Sequence, residues 1–513
     1  MTSEPTAFVR KASGLRRDVS LLDVVSLNLS NMSGGAALGT IGFTTVLLTS
    51  MSGVNLVYGS ILAWFLTIPE VVVYTMMTSR VSRTGGDYVW VSRVYGGAFG
   101  GPLSFMGYTI ETMAYMALIA LAAVTAIGSV GVSLGYSNML QFALPGNLPG
   151  ANLAGQFAIA AIIFVVLIAA NMLKPKLGFK IVAIAVLIAI VATFVGIFSL
   201  LAAGTNGVQG YMSFLNSIGD NTTYTAVANS YTGPTFDFGA TIFMLPFFAI
   251  FVYPWLNAGP AVASEIKGKS ALKYNVAISS VVSLIIVTSA FAAMYYAGGF
   301  NFINGALSNP GLVYDWSFNF WTLAMGVSST PVAWFIGLGW ILWNVAVIAY
   351  AIIVLSRYLF AQSFDRFLPE KISYVSKYGS PTVAFTINLV CTLVLIALAS
   401  FFYGTLVSLY GAVIASMIYF FFIGIAAVRY AIKNEKGTSK GILATAGLLM
   451  TIVFAYITYQ FIAYYTIWGG TLLGTGWAVG SFIVGVAIYF ISKSYYGKRG
   501  IDITLAYKEL PPL

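Results

Sequence analysis

The chain of 513 residues is 59% hydrophobic and only 8% charged, and its mean hydropathy is +0.89. Soluble chains carry roughly 25% charged residues, so this composition excludes an ordinary soluble domain and predicts an all-α integral membrane protein. The chain has no histidine and one cysteine, Cys391, which excludes histidine-based metal sites, internal disulfides and histidine-dependent catalytic centres. We therefore expect neither an enzyme nor a bound cofactor or metal.

Apolar runs long enough to cross a bilayer recur along the whole chain, and one span needs about 20 such residues. The first twenty residues are polar and basic, and the apolar run that follows them is too long for the core of a cleavable signal peptide. We therefore predict a cytoplasmic tail followed by twelve transmembrane helices. These spans cover residues 21–48, 54–79, 99–131, 155–173, 178–204, 238–263, 272–299, 329–356, 382–401, 404–429, 441–466 and 470–492.

The positions of the 25 lysines and arginines support this count of spans. With twelve spans, all of them lie on one side of the membrane, in the two tails, in the even-numbered loops or at the ends of the adjoining spans, and cytoplasmic loops hold an excess of these residues. The net charge of +10 therefore indicates topology rather than nucleic-acid binding. We expect a multi-pass protein of the plasma membrane with both termini in the cytoplasm.

Residues 378–428 contain no charge. As one helix they would be about 77 Å long, against a hydrocarbon core of about 30 Å. We therefore predict that this stretch crosses the membrane twice and turns near Gly404.

Two of the predicted spans contain helix-breaking residues at matching positions. The first contains Ser33, Gly34 and Gly35, and the sixth contains Pro246, Pro254 and Pro260. Broken helices are tolerated within a membrane only where they line a cavity or are buried in protein, and a matched pair indicates a transporter made of two inverted repeats. The alternative is that small residues merely allow close packing of helices.

Spans one and six would each open a five-helix unit, and because five is odd the second unit would be inverted relative to the first. The predicted organisation is a tail at 1–20, a first unit at 21–204, an outer loop at 205–237, a second unit at 238–429, helices eleven and twelve at 430–492, and a tail at 493–513.

Helix interruptions of this kind suit a zwitterionic ligand. The N-terminus of a half-helix presents free N–H groups to a carboxylate, while freed carbonyls accept an ammonium group or a cation. The aromatic residues around Tyr253 would form an apolar or cation–π wall for the rest of the ligand, or else pack against neighbouring helices.

Three stretches carry a resemblance to a known family. Residues 82–88, Ser-Arg-Thr-Gly-Gly-Asp-Tyr, are similar to a loop after the family's second helix. Residues 356–369 with Gly-Ser-Pro at 379–381 are similar to the loop after its eighth helix, and Glu-Ile-Lys at 265–267 to the segment after its sixth. The chain resembles the amino acid-polyamine-organocation superfamily, which implies a leucine-transporter-like five-plus-five inverted repeat with two additional helices.

The resemblance implies that the two interrupted helices bind the substrate. Ser33, Gly34 and Gly35 would hold its carboxylate, and the facing residues of span six would be Phe248, Ala249, Phe251, Tyr253 and Trp255. The chain departs from the family at Val252 or an adjacent aromatic, where the family has a glycine, and at Gly268 and Lys269, where it has Asn-Pro. The substrate class therefore stays open between amino acids and related amines.

Ionisable groups inside spans are costly and are functional candidates. Glu70 in span two and Glu111 in span three are the two clear cases. Each would exchange a proton or bind the substrate's ammonium group, unless it is a structural, hydrogen-bonded carboxylate. Asp23 and Glu265, near the ends of their spans, are predicted to pair with arginine or lysine.

Other coupling devices of the family are not evident in the sequence. Sodium-driven members have hydroxyl residues in the middle of helix eight, where this chain offers only Asn344, and some proton-driven members have a lysine within helix five, where this chain has none past Lys180. We therefore expect a secondary active transporter, or permease, that works by proton symport or by exchange. A channel and a membrane enzyme are the alternatives, but neither a repeated filter loop nor a catalytic constellation is visible.

Overall fold

The computed structural model of the protein describes residues 15, 17–45, 52–144, 146, 148–217, 222–312, 318–376, 379–403 and 405–510. The regular structure of these residues is entirely helical, with no strand among them, and a single parallel bridge joins Val19 to Ile266. The all-α prediction is confirmed. The predicted turn at Gly404 and most of the N-terminal tail lie outside the described residues.

The helices follow one another with short connections. In chain order they are α1 (Leu21–Met32), α2 (Gly34–Thr45), α3 (Leu56–Arg80), α4 (Asp87–Tyr95), α5 (Gly97–Ser104), α6 (Glu111–Ser133), α7 (Leu140–Ala143), α8 (Leu153–Leu173), α9 (Pro175–Ala203), α10 (Gly207–Ser217), α11 (Tyr224–Ser230), α12 (Phe238–Phe243), α13 (Leu245–Phe251), α14 (Ala258–Ala261), α15 (Lys269–Gly298), α16 (Phe300–Leu307), α17 (Phe320–Gly326), α18 (Thr330–Phe364), α19 (Thr382–Leu398), α20 (Thr405–Asn434), α21 (Gly437–Ala463) and α22 (Leu472–Gly497).

Ten helical segments in the described part of the chain are long and apolar enough to cross a membrane. They are α3, α5 with α6 and the π-helical turn between them, α8, α9, α15, α18, α19 with the π-helical turn after it, α20, α21 and α22. They coincide with ten of the predicted spans. The predicted first and sixth spans are each divided into shorter helices, so the twelve-span, five-plus-five arrangement stays a prediction.

The first predicted span is interrupted at Ser33. Its backbone has φ 53° and ψ 28°, the left-handed conformation that ends a helix, and its N–H donates to the carbonyls of Leu29 and Ser30. The Ser33 hydroxyl also donates to the Ser30 carbonyl at 3.0 Å. A serine side chain that bonds to nearby backbone competes with helix continuation, and α2 therefore restarts at Gly34.

The sixth predicted span is interrupted over residues 252–257, between α13 and α14. Pro254 has no N–H to donate to a helical carbonyl, and it disfavours the helical conformation of the residue before it, Tyr253. Pro246 lies in the first turn of α13, where a proline is tolerated. The middle proline therefore explains the break, and the first one does not disturb its helix.

Helix α18 lies at the centre of the bundle, between α9 and α6, and it also contacts α1 and α2. Of its most apolar stretch 78% is buried, against 28% for α8 and α22, so α8 and α22 present apolar faces outward. The interrupted helix α1 packs against α9, α14, α15 and α18. Both helix interruptions are therefore enclosed by other helices.

Charged residues from several connections meet at one end of the bundle. Asp18, ahead of α1, pairs with Lys176 of α9 at 2.6 Å and with Lys267, between α14 and α15, at 3.0 Å. Hydrogen bonds from these two lysines lower the pKa of the Asp18 carboxyl to about 2. This end therefore joins the N-terminal segment to two of the loops that carry the predicted cytoplasmic charges.

Candidate functional site

A group of buried side chains surrounds the interruption at Ser33. Its hydroxyl lies 3.1 Å from the hydroxyl of Tyr115 on α6. The ring of Tyr115 stacks on that of Trp255, with centroids 6.1 Å apart and planes 14° apart, and Trp255 packs edge-on against Phe420 of α20. The two helix interruptions therefore meet through Tyr115, a residue that the sequence analysis did not single out.

The two glycines after Ser33 are closely packed, and Gly35 is much the tighter of the two. A Cβ at Gly35 would lie 2.1 Å from Cδ1 and Nε1 of Trp343, whereas a Cβ at Gly34 would lie 3.2 Å from Val287. The Gly35 carbonyl also accepts a hydrogen bond of 2.9 Å from Trp321 Nε1. Only glycine therefore fits at position 35 without movement of the Trp343 indole.

Buried asparagines tie α1 to the other interrupted helix and to α15. Asn28 Nδ2 donates to Asn275 at 2.9 Å, and Asn28 Oδ1 accepts from the Gly259 N–H at 2.6 Å. Asn31 Nδ2 donates to Asn257 Oδ1 at 2.8 Å. Polar side chains in apolar helices commonly bond across helices, and this rule is the one signal by which these residues could have been found in advance.

Phe248 and Tyr253 lie on a different side of the interruption from Trp255. Their rings stack with centroids 6.0 Å apart, the Tyr253 hydroxyl bonds to Ser60 of α3 at 2.6 Å, and the Phe248 ring lies against Gly59. The described contacts therefore bring Trp255 to the group around Ser33, but they do not bring Phe248 or Tyr253 there.

No described contact joins the other three predicted site residues to the group around Ser33. Ala249 is buried in α13, and the side chain of Phe251 lies outside the described residues. The amide nitrogen of Asn344 donates to the Trp340 carbonyl at 3.0 Å, within its own helix α18. This hydrogen bond joins Asn344 to α18 itself and not to α1.

Both predicted carboxylates are buried inside the bundle, with Glu70 1% and Glu111 2% exposed. Glu111 Oε2 accepts a hydrogen bond of 3.0 Å from Thr112. Neither oxygen of Glu70 has a hydrogen-bond partner among the described residues. A buried carboxylate with one hydrogen bond or none is costly in its charged form, so both side chains stay candidates for proton exchange.

Glu265 forms a buried ion pair with Arg357 of α18. Arg357 Nε donates to Oε1 and Nη2 to Oε2, both at 2.9 Å, and Arg357 is 1% exposed. The prediction that Glu265 pairs with a basic residue is confirmed. Asp23 instead accepts hydrogen bonds from the backbone N–H and the hydroxyl of Ser20 and so caps α1.

A fifth carboxylate, Asp87, was not among the predicted functional residues. It begins α4, between two spans, and is completely buried. It accepts hydrogen bonds from Tyr74 at 2.8 Å, from Tyr419 at 2.7 Å and from Tyr358. The sequence shows Asp87 only as part of the Gly-Gly-Asp-Tyr stretch, because Tyr358 and Tyr419 come from distant parts of the chain.

The described residues contain no group of three or more histidine, cysteine, aspartate or glutamate side chains that could hold a metal ion.

In the described part of the chain, ten helical segments are long and apolar enough to cross a membrane, and buried polar side chains surround two enclosed helix interruptions. These features define a polytopic α-helical membrane protein with a central polar region. The sequence profile described as "Amino acid permease" matches residues 20–497. The chain therefore belongs to the amino acid permease family, and the resemblance to the amino acid-polyamine-organocation superfamily is confirmed.

One curated relative matches part of the chain. It is described as "Uncharacterized protein 399" of Sulfolobus islandicus rod-shaped virus 1 and is 28% identical over 90 residues, which make up 18% of this chain. The chain spans 22% of that relative's length. The description of the relative assigns no activity.

Proposed function

We propose that the protein is a secondary active transporter that moves amino acids or related amines across the plasma membrane by alternating access. The observation that carries this proposal is the junction of the two interrupted helices at Ser33, Tyr115 and Trp255. In transporters built from repeats, substrates bind near the middle of the membrane where two discontinuous helices meet.

The start of α2 is the proposed site for the substrate's carboxylate. The first N–H groups of a helix lack intrahelical acceptors and carry the positive end of the helix dipole. Gly34 and Gly35 begin this twelve-residue helix, so their N–H groups are not screened by side chains of their own. Ser33 adds a hydroxyl beside them.

The non-helical residues 252–257 are the proposed site for the substrate's ammonium group, because backbone carbonyls outside a helix are free to accept hydrogen bonds. Trp255 and Tyr115 provide aromatic faces next to it, and such faces attract cations. The stacked pair replaces Tyr253 as the proposed aromatic wall, since Tyr253 is bonded to Ser60 instead.

Glu111 is the proposed coupling carboxylate. It lies four residues before Tyr115 on α6, on the same face of the helix, and it interacts electrostatically with Tyr115. Its protonation state therefore acts on the hydroxyl that bonds to Ser33. Glu70 is the second candidate. Both favour proton symport or exchange over sodium coupling.

The proposed topology has both termini in the cytoplasm and two inverted units at residues 21–204 and 238–429, with two additional helices. Its support is the grouping of charged connections at one end of the bundle. Arg93, after α3, pairs with Asp365 of the connection that follows α18, and Arg80 pairs with Glu435 at the end of α20. Segments predicted to be cytoplasmic therefore contact each other.

The first test is uptake of a panel of labelled amino acids and amines into proteoliposomes, with and without an imposed pH gradient. We expect accumulation by the wild type, and a loss of about tenfold or more in Glu111→Gln, because general acid–base groups typically contribute at least this much. Exchange of internal for external substrate should persist in Glu111→Gln, since no net proton movement is needed.

Glu70→Gln in the same assay shows which of the two carboxylates contributes more to accumulation. An equal loss of accumulation in both variants would assign the proton coupling to both carboxylates together. If no amino acid or amine accumulates or exchanges in the wild type under a proton or sodium gradient, the proposed substrate class and mechanism are wrong.

A further inference from the structure

The surroundings of Asp87 are those of a carboxyl group that can gain and lose a proton, and not those of a structural ion pair. Its carboxylate accepts hydrogen bonds from three phenols of three different helices: Tyr74 of α3, Tyr358 of α18 and Tyr419 of α20. Asn257 of the interrupted sixth span also donates to it. Among the described residues no arginine or lysine pairs with Asp87.

A series of buried tyrosines and Glu111 lies between Asp87 and the site around Ser33. The Tyr358 ring, whose hydroxyl bonds to Asp87, stacks on the ring of Tyr108 with centroids 3.7 Å apart. Tyr108 interacts electrostatically with both Asp87 and Glu111. Glu111 in turn interacts with Tyr115, the partner of Ser33.

A second connection runs directly to the two interrupted helices. Asn257, which precedes α14, bonds to Asn31 of α1 at 2.8 Å and lies 3.5 Å from the Tyr358 hydroxyl. Asn257 also lowers the pKa of the Asp87 carboxyl. A change in the charge of Asp87 therefore alters hydrogen bonds of the residue that holds the two interruptions together.

Asp87 lies at the end of the bundle that carries the proposed cytoplasmic connections. It begins α4, and Arg93 of the same short helix pairs with Asp365 after α18. Glu111 lies in the first turn of α6, four residues before Tyr115, the partner of Ser33. Glu111 is therefore on the side of the substrate site, and Asp87 is on the side of the proposed cytoplasmic connections.

We propose that Asp87 is a second proton-binding residue of the transport cycle, which takes the coupling proton from the Glu111 side and releases it to the cytoplasm. This inference rests on the proposed proton-coupled function. One proton leaves the Glu111 carboxyl group and protonates the Asp87 carboxylate. Asp87 then gives it to water when the cytoplasmic side opens, and both carboxylates are restored for the next cycle.

The titration of Asp87 fits this role. Burial raises the pKa of its carboxyl to about 6, against the hydrogen bonds from the three tyrosines and Asn257, which lower it. Nearby Glu70 is the other acidic group that faces it. A carboxyl group with such a pKa gains and loses a proton near neutral pH, as a relay requires.

The test compares Asp87→Asn with the wild type in proteoliposomes, in two assays. The first measures exchange of labelled for unlabelled substrate without a gradient, and the second measures accumulation driven by a pH gradient. We expect exchange to persist in Asp87→Asn and accumulation to fall by about tenfold or more. Asp502→Asn, which removes a helix-capping carboxylate near the C-terminus, is the matched control and should leave both assays unchanged.

Tyr419→Phe supplies a readout that a purely structural role would not change. It removes a hydrogen bond to the charged form of Asp87, which raises the pKa of the carboxyl. The midpoint of the pH dependence of accumulation should therefore move to higher pH, by up to about one unit. Infrared difference spectra over the same pH range should contain a protonated-carboxyl band that is absent from Asp87→Asn.

Three outcomes would overturn the inference. One is full accumulation by Asp87→Asn. Another is that Asp87→Asn loses both exchange and accumulation although it unfolds at the same temperature as the wild type. The third is a pH profile that Tyr419→Phe leaves in place. Exchange without any gradient-driven accumulation in the wild type would refute proton coupling itself, and this inference with it, and is thereby distinguished from failure in the variants alone.

Discussion

Replacing Arg357 with methionine is expected to lower the free energy of unfolding by about 3–5 kcal/mol, because it leaves a buried carboxylate without its partner. Both oxygens of Glu265 accept hydrogen bonds from Arg357, and both residues are buried. The methionine side chain cannot replace either bond. Unfolding of the purified protein in detergent, followed by heat or denaturant, measures the change.

Two variants test the cause of this loss. The double variant Arg357→Met with Glu265→Gln removes the unpaired charge and should recover much of the stability, since neutral replacements of buried ion pairs are often tolerated. Lys176→Met removes one partner of a solvent-exposed ion pair and should leave the unfolding transition where it is. Equal effects of Arg357→Met and Lys176→Met would contradict the assignment of a buried pair.

Gly35→Ala is expected to abolish transport. The new Cβ would lie 2.1 Å from the indole of Trp343, which is held in place by a hydrogen bond of 3.0 Å to Thr193 and by full burial. Overpacking of this kind costs about 1–3 kcal/mol, and here it displaces the start of α2, the proposed carboxylate site. Uptake in proteoliposomes and the unfolding temperature together measure both effects.

Gly480→Ala is the matched control for this change, because it adds the same methyl group to a helix at a position with open space around it. It should retain uptake and be slightly more stable, since alanine is the better helix former. Gly34→Ala, with its nearest atom 3.2 Å away, should have an effect between the two. Wild-type uptake and stability in Gly35→Ala would show that the packing around α2 is looser than described.

Much of the architecture was predictable from local properties of the chain. The lengths of apolar runs depend on neighbouring residues alone, so ten of the predicted spans coincide with helices of sufficient length. The ion pair of Glu265 was also predictable, since a charge at the edge of an apolar run needs a partner. The family was recognisable because short stretches such as residues 82–88 are contiguous in sequence.

The contacts around the candidate site were harder to predict from the sequence. Tyr253 was predicted beside the substrate because it adjoins Pro254, but its hydroxyl bonds to Ser60 on another helix. Tyr115 was overlooked because an isolated tyrosine in an apolar span is unremarkable until Ser33 is placed against it. The predicted loop at residues 205–237 contains helices α10 and α11, which are too short to be distinguished from a loop by hydropathy.

The sequence by itself determined the class of protein, the long helices and the residues at which helices must break, because apolar length, proline and glycine act within a few residues of the chain. Only the tertiary structure decided which side chains share the central polar region. Asp87 lies 271 residues from Tyr358 and 332 from Tyr419, and no local pattern relates them. Burial without charged partners, which gives Asp87 and Glu70 their chemistry, is a property of how the helices pack.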